Sequence, residues 1–208
     1  MNDEDVKKLQ NLIDLLGDTM ENAFEKLGIK NETDMSEAIM LDVLKFLMFL
    51  AASDNEVTWD ETDLISRISC IRWTPGLLGK FIRENDIYSV RFERQVPATF
   101  GMLVNTEKIL MSLGGKTNLS AQILNIYKLI GEAFLSLSPE NKNAISNYRS
   151  YIGMMEEYLA ENLLTSNESS RGFVKRGAEE ENEGTDDKHK PAVTEEDDDV
   201  GVEAPKKG

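Results

Sequence analysis

Between Val6 and Leu163, in segments separated by turns and by a less regular stretch from Asn85 to Val96, apolar residues return every three or four positions, and no pair of segments alternates apolar and polar residues across a hairpin turn. A period near 3.6 gathers such residues on one helix face, whereas a half-buried strand needs a period of two. The chain is therefore predicted to be all-α. Val6, Leu9, Ile13, Leu16, Met20, Ala23 and Leu27 form the first stripe, and Gly28 closes it, giving a helix over about Asp3 to Leu27. Its heptad pattern lasts only about three repeats, which favours a core-facing helix over a coiled coil.

The later helices are marked by their caps. Asp34-Met35-Ser36-Glu37 has the form of a capping box, and the helix after it runs to about Ala52 with Ile39, Val43, Phe46, Leu47 and Leu50 inward. Thr58-Trp59-Asp60-Glu61 is a second box, followed by Leu64, Ile65, Ile68 and Ile71. Cys70 falls inside that apolar pattern and reads as a small buried hydrophobe. Thr74-Pro75 places a cap before a proline at the first helical position, ahead of Leu77, Leu78, Phe81 and Ile82. Pro97 opens a helix with Phe100, Leu103, Val104 and Leu110, ended by Gly114-Gly115. Another is expected from about Asn118 to Leu137 with Ile123, Ile126, Tyr127, Ile130 and Phe134 inward. Ser138-Pro139-Glu140 is read as the cap of the last helix, which carries Ile145, Tyr148, Ile152, Met155, Leu159 and Leu163. That makes about seven helices. From Thr165 the pattern stops. Runs such as Glu179-Glu180-Glu181 and Glu195-Glu196-Asp197-Asp198-Asp199 bury too little apolar surface to offset the entropy of ordering, so a disordered acidic tail is expected.

Charge narrows the function. The 208 residues carry a net charge of -15, of which 13 acidic and 7 basic side chains in 165–208 account for -6, leaving -9 on the body. Binding a phosphate backbone needs clustered Lys and Arg, so nucleic acid is disfavoured, and cations or basic partners are favoured. A single cysteine forbids an internal disulfide. The single histidine, His189, lies in the polar tail, which removes a Cys–His nucleophile pair and a His-rich zinc site from the body. The longest apolar stretch, Ile39 to Ala52, is interrupted by Asp42 and Lys45 and falls short of the about 20 residues that span a bilayer. Met1 to Asp5 is acidic, unlike a signal peptide. The expected location is the cytoplasm. Oligomeric state and peripheral membrane association stay open.

Two segments imitate binding motifs. Gly114-Gly115-Lys116-Thr117 resembles the end of a phosphate loop, but Leu110 stands where the first glycine belongs and a helix precedes it, so a helix C-cap is expected. Asp54, Glu56, Asp60, Glu61 and Asp63 place five carboxylates within ten residues. Counted as an EF-hand from Asp54, the loop puts Trp59 where a glycine must turn and Ile65 where a bidentate glutamate must ligate. A standard EF-hand is thereby rejected. Two readings remain: a looser Ca²⁺ or Mg²⁺ site built on Asp54, Glu56 and Glu61, or a helix start in which Thr58 and Glu61 cap and Asp60 favours the positive helix end. No cofactor is required by either. A hydrolase using the same carboxylates is the least favoured alternative, since no nucleophile, histidine or glycine-rich cradle accompanies them.

Phe49-Leu50-Ala51-Ala52-Ser53-Asp54-Asn55-Glu56-Val57-Thr58-Trp59-Asp60-Glu61 resembles the signature of the TerB-like (tellurite-resistance) helical family. Asp54, Val57, Thr58 and Glu61 match it, with Asn55 in place of the usual glycine. Phe81-Ile82-Arg83-Glu84-Asn85-Asp86-Ile87-Tyr88 with Phe92-Glu93-Arg94-Gln95-Val96-Pro97 is similar to the middle of such domains where they precede AAA+ ATPases. Leu129 to Leu135 and Tyr151 to Leu159 are similar to the second half. The resemblance implies two pseudo-repeated helical halves, each with an acidic turn, although the second turn here reads Ser138-Pro139 instead of Asp-Gly. It divides the chain into an N-terminal amphipathic helix and connector (1–33), a TerB-like domain (34–164) and the tail (165–208). It implies a non-enzymatic interaction or adaptor module in a bacterial stress-response or envelope-associated complex, with a protein partner such as an AAA+ ATPase.

Overall fold

A computed structural model describes residues 1–54, 56–87 and 95–164. Asn55, Tyr88, Phe92-Glu93-Arg94 and the whole acidic tail lie outside them. All regular structure in the described residues is helical: α1 Asp3–Lys26, α2 Met35–Ala51, α3 Trp59–Ser69, α4 Pro75–Glu84, α5 Ala98–Ser112, α6 Leu119–Leu135 and α7 Lys142–Leu159, followed by a π-helical segment Ala160–Leu164. The 3.6-residue stripes thus form the helices they predict.

α2 is the axis of the molecule, packing against every other α-helix. Its sequence is apolar almost all round, so its buried set extends beyond the expected face to Met35, Leu44, Met48 and Phe49. Phe46 stacks on Tyr151 of α7 at 4.9 Å and meets Tyr127 of α6 edge-on at 5.2 Å. α1 contributes Val6, Leu9, Ile13, Leu16, Met20 and Phe24 to the same continuous core. Gly131 allows α6 and α7 to close together, since a Cβ there would overlap the Tyr148 ring.

Helix ends follow their local chemistry. α3 has a complete capping box at Thr58 and Glu61, and α1 has one at Asn2 and Asp5. Asp34 and Thr74 cap α2 and α4. At Gly114, with φ +82°, the N–H bonds Met111 O at 3.0 Å while Gly115 N–H bonds Leu110 O at 2.9 Å. This is a Schellman stop, so the phosphate-loop lookalike is a helix C-cap. Gly28 ends α1 in the same way, with φ +68° and Ile29 N–H on Phe24 O at 2.8 Å.

Two expectations are corrected. Cys70 is exposed, because α3 stops at Ser69 and Cys70 adopts the left-handed conformation (φ 56°), which turns its side chain off the apolar stripe and leaves Ile71 outside the core. Gln10 of α1 caps that end, donating to Arg67 O at 3.3 Å and Ile68 O at 3.1 Å. Ser138-Pro139-Glu140 does not cap α7. Those residues turn, and the cap is Asn141, whose side chain accepts Ala144 N–H at 2.9 Å.

α5 and α6 lack local side-chain caps. Their second residues instead find buried carboxylates on earlier helices. Asp42 Oδ2 of α2 accepts Thr99 N–H at 3.0 Å and Thr99 Oγ1–H at 2.9 Å. Glu107 Oε2 of α5 accepts Ser120 N–H at 2.9 Å and also the Ser120 hydroxyl. All four of these side chains are buried. A buried N–H without a partner costs about 1–3 kcal/mol, so these acids are what allow α5 and α6 to start inside the core.

Candidate functional site

The acidic turn between α2 and α3 is built from its neighbours' needs. α2 ends through Ala52 N–H on Met48 O, and Ser53 N–H returns to Leu50 O. Asp54 Oδ1 accepts Glu56 N–H at 3.1 Å, an Asx-type turn that redirects the chain. Thr58 then starts α3: Glu61 Oε2 accepts Thr58 N–H at 2.9 Å, and Glu61 N–H donates to Thr58 Oγ1 at 3.3 Å.

The turn is joined to the other end of the fold. Asn141 Nδ2 donates to Asp54 Oδ2 at 2.7 Å, while the same side chain's oxygen caps α7. Asn143 Nδ2 donates to Ser53 O at 3.3 Å, and Asn147 Nδ2 to Ser53 Oγ at 3.1 Å. The α2–α3 and α6–α7 turns therefore meet side by side, with one acid and three asparagines between them. Sequence reasoning compared these two turns but missed the asparagines. Their only signal is the recurrence of Asn141, Asn143 and Asn147 at the start of α7.

The five carboxylates diverge. Asp54 points to α7 and Glu61 folds back onto its own helix start, only 1 % exposed. Asp63 runs along α3 to Arg67 Nε at 3.4 Å, and Glu56 and Asp60 are exposed to solvent. Among the described residues no three Asp, Glu, His or Cys side chains are grouped so as to hold a metal ion. Burial is the largest influence on Glu61 and pushes its pKa above the ordinary carboxylate value; the Thr58 hydrogen bonds pull against it, and Asp54 and Asp60 add to it. Asp54, Glu56 and Glu61 thus occupy three different environments: one bridging turns, one solvated, one buried as a cap. Beside them stands Trp59, on the first turn of α3 and 70 % exposed.

A larger concavity, about 1080 Å³, opens between α2, the entry to α5 and α7. Asp42, Lys45 and Tyr151 lie along it, and Asp42 Oδ1 accepts a hydrogen bond from Lys45 Nζ at 3.2 Å. Behind Tyr151, Tyr127 is fully buried and its hydroxyl finds no partner among the described residues. Burial raises both phenols well above their ordinary range, with the Asp42 charge adding to it. Ionisation of either phenol is thereby disfavoured. Asp42 had a sequence signal as a charge interrupting an apolar helix; nothing in the sequence joined it to Thr99 or Tyr151.

No protein-family model matches this chain, and no curated protein or solved structure matches it. Among the described residues no helix is long and apolar enough to cross a membrane.

Proposed function

We propose that this chain is a non-enzymatic, TerB-like protein-interaction module, an adaptor in a bacterial stress-response or envelope-associated complex. An AAA+ ATPase is the partner class to test first. The family part of the reading rests on the ordered motifs from Phe49 to Leu159. The observation that carries the interaction part is Trp59. An indole left 70 % exposed between two exposed acids, on a helix start clamped by its own capping box, is a rigid amphipathic anchor of the kind that dominates binding at interfaces. The carboxylates around it support the same reading, because Asp54 and Glu61 hold helix starts and turns in place.

The test is affinity capture from native lysate with tagged wild type and Trp59→Ala, the recovered proteins being identified by mass spectrometry. The expected result is a specific partner on wild type that falls roughly tenfold or more on the variant. Trp59 is exposed, so the variant keeps its fold, checked by its melting curve. Identical recovery on both proteins, or none on either, would overturn the reading.

A further inference from the structure

We infer that the groove between α2, the entry to α5 and α7 is the docking site for a basic peptide segment of a partner protein, one that combines Arg or Lys side chains with apolar residues. The inference rests on the interaction-module reading and adds to it a place and a chemistry.

Charge selects the sign of the occupant. Lys45, the one basic side chain among the described residues that line the groove, is matched by Asp42 at 3.2 Å. Asp86 and Glu157 on the rim are exposed and form no ion pair with described residues. A cationic side chain meets these carboxylates, whereas a phosphate is repelled.

The walls select for more than charge. Val96, Pro97 and Met154 are apolar, and Tyr158, held against Phe100 at a centroid distance of 6.1 Å, offers a ring to an aliphatic or guanidinium group. The volume, about 1080 Å³, exceeds what one small cation fills and suits several consecutive side chains.

The floor supplies an independent observation. Tyr151 is more than nine-tenths buried, lines the groove and makes no hydrogen bond to a described residue, and the Tyr127 hydroxyl behind it is likewise unpartnered. A phenol hydroxyl in that position has no acceptor among the described residues and is left to water. A peptide backbone carbonyl entering the groove provides one to Tyr151, which a free amine or a metal ion cannot do.

The experiment uses the full chain and a fluorescein-labelled octapeptide alternating arginine and leucine, followed by fluorescence anisotropy at low salt. Saturable binding is expected, weakened roughly tenfold or more by Asp86→Asn with Glu157→Gln and severalfold by Tyr151→Phe, and falling with salt. Asn tolerates the left-handed backbone of Asp86 (φ 48°), so the double variant keeps its fold. Glu25→Gln with Glu32→Gln removes the same charge near the α1–α2 connection and is expected to leave binding unchanged. Equal weakening by both double variants would show general attraction to an acidic chain and overturn the inference, as would absence of saturable binding. Stronger binding after Arg171→Gln, Lys175→Gln and Arg176→Gln would show that the chain's own basic segment competes for the groove, and would overturn the assignment to a partner. If the peptide fails while Trp59-dependent capture persists, only the groove falls. If capture fails and peptide binding persists, the adaptor reading falls by itself.

Discussion

The first turns of α3 and α5 face the same deficit of partners for their N–H groups, and the molecule meets it over very different distances. At α3 the partners are Thr58 and Glu61, within one turn of the helix they cap. At α5 the N-cap is Pro97, whose ring has no oxygen to offer, and the acceptor is Asp42, 57 residues before the Thr99 it serves. α6 repeats the second solution, with Glu107 receiving Ser120. The difference teaches what each cap is for. At α3 the Thr58 hydroxyl is exposed, so water could replace it, although Glu61 beside it is buried. The α5 and α6 starts are buried against α2 and α5, where only a protein acceptor can satisfy the N–H, so these carboxylates position whole helices as well as ending them.

The comparison predicts unequal losses. Asp42→Ala strands the Thr99 N–H and hydroxyl in the core and leaves Lys45 unmatched, and is expected to lower unfolding stability by about 3 kcal/mol in urea titration. Thr58→Ala removes a cap next to solvent and is expected to cost about 1 kcal/mol by the same measurement. If the two losses came out equal, the distinction between local and borrowed caps would collapse. Tyr127→Phe deletes a buried hydroxyl with no partner among the described residues, and a gain of up to about 1 kcal/mol is expected. A loss instead would mean that the hydroxyl is satisfied in solution.

The smallest effect separates the two roles of Glu61 through pH. Burial raises its folded pKa above the ordinary value of 4.5, so the folded state holds the proton more tightly than the unfolded chain. Its stabilising contribution is therefore fully present below the unfolded pKa and is lost as pH rises through the folded one. Glu61→Gln keeps an oxygen for Thr58 N–H and removes the buried charge. Relative to wild type it is expected to gain stability progressively from about pH 4 upward, read as the difference between urea midpoints across a pH series. A flat difference would show that the carboxylate is solvated and that the cap is no more enclosed than that of α2.

Much of the candidate site was legible because its chemistry is local. Thr58 and Glu61 are three residues apart, so a capping box can be read directly, and the structure contains it with both bonds. The phosphate-loop imitation at Gly114-Gly115 could be dismissed from spacing, and its Schellman bonds agree. Cys70 was misjudged because periodicity carries no information about where a helix stops when the stop is a left-handed residue other than glycine. The cap of α7 was placed three residues early because Ser138-Pro139 has the composition of a helix start, while Asn141 is chosen by its simultaneous bonds to Ala144 and Asp54.

By itself, then, the sequence determined an all-helical body, most helix limits to within one or two residues, and an acidic turn too irregular for an EF-hand. These depend on interactions within a turn or two of the chain, where residue type and spacing are the whole of the physics. Only the tertiary structure decided that the α2–α3 and α6–α7 turns touch through Asp54 and Asn141, that Asp42 and Glu107 start helices other than their own, and that Tyr151 lines a groove edged by Asp86 and Glu157. Those pairs are separated by many residues, and nothing short of packing α2 against the other helices brings them together or removes the water that would otherwise satisfy them.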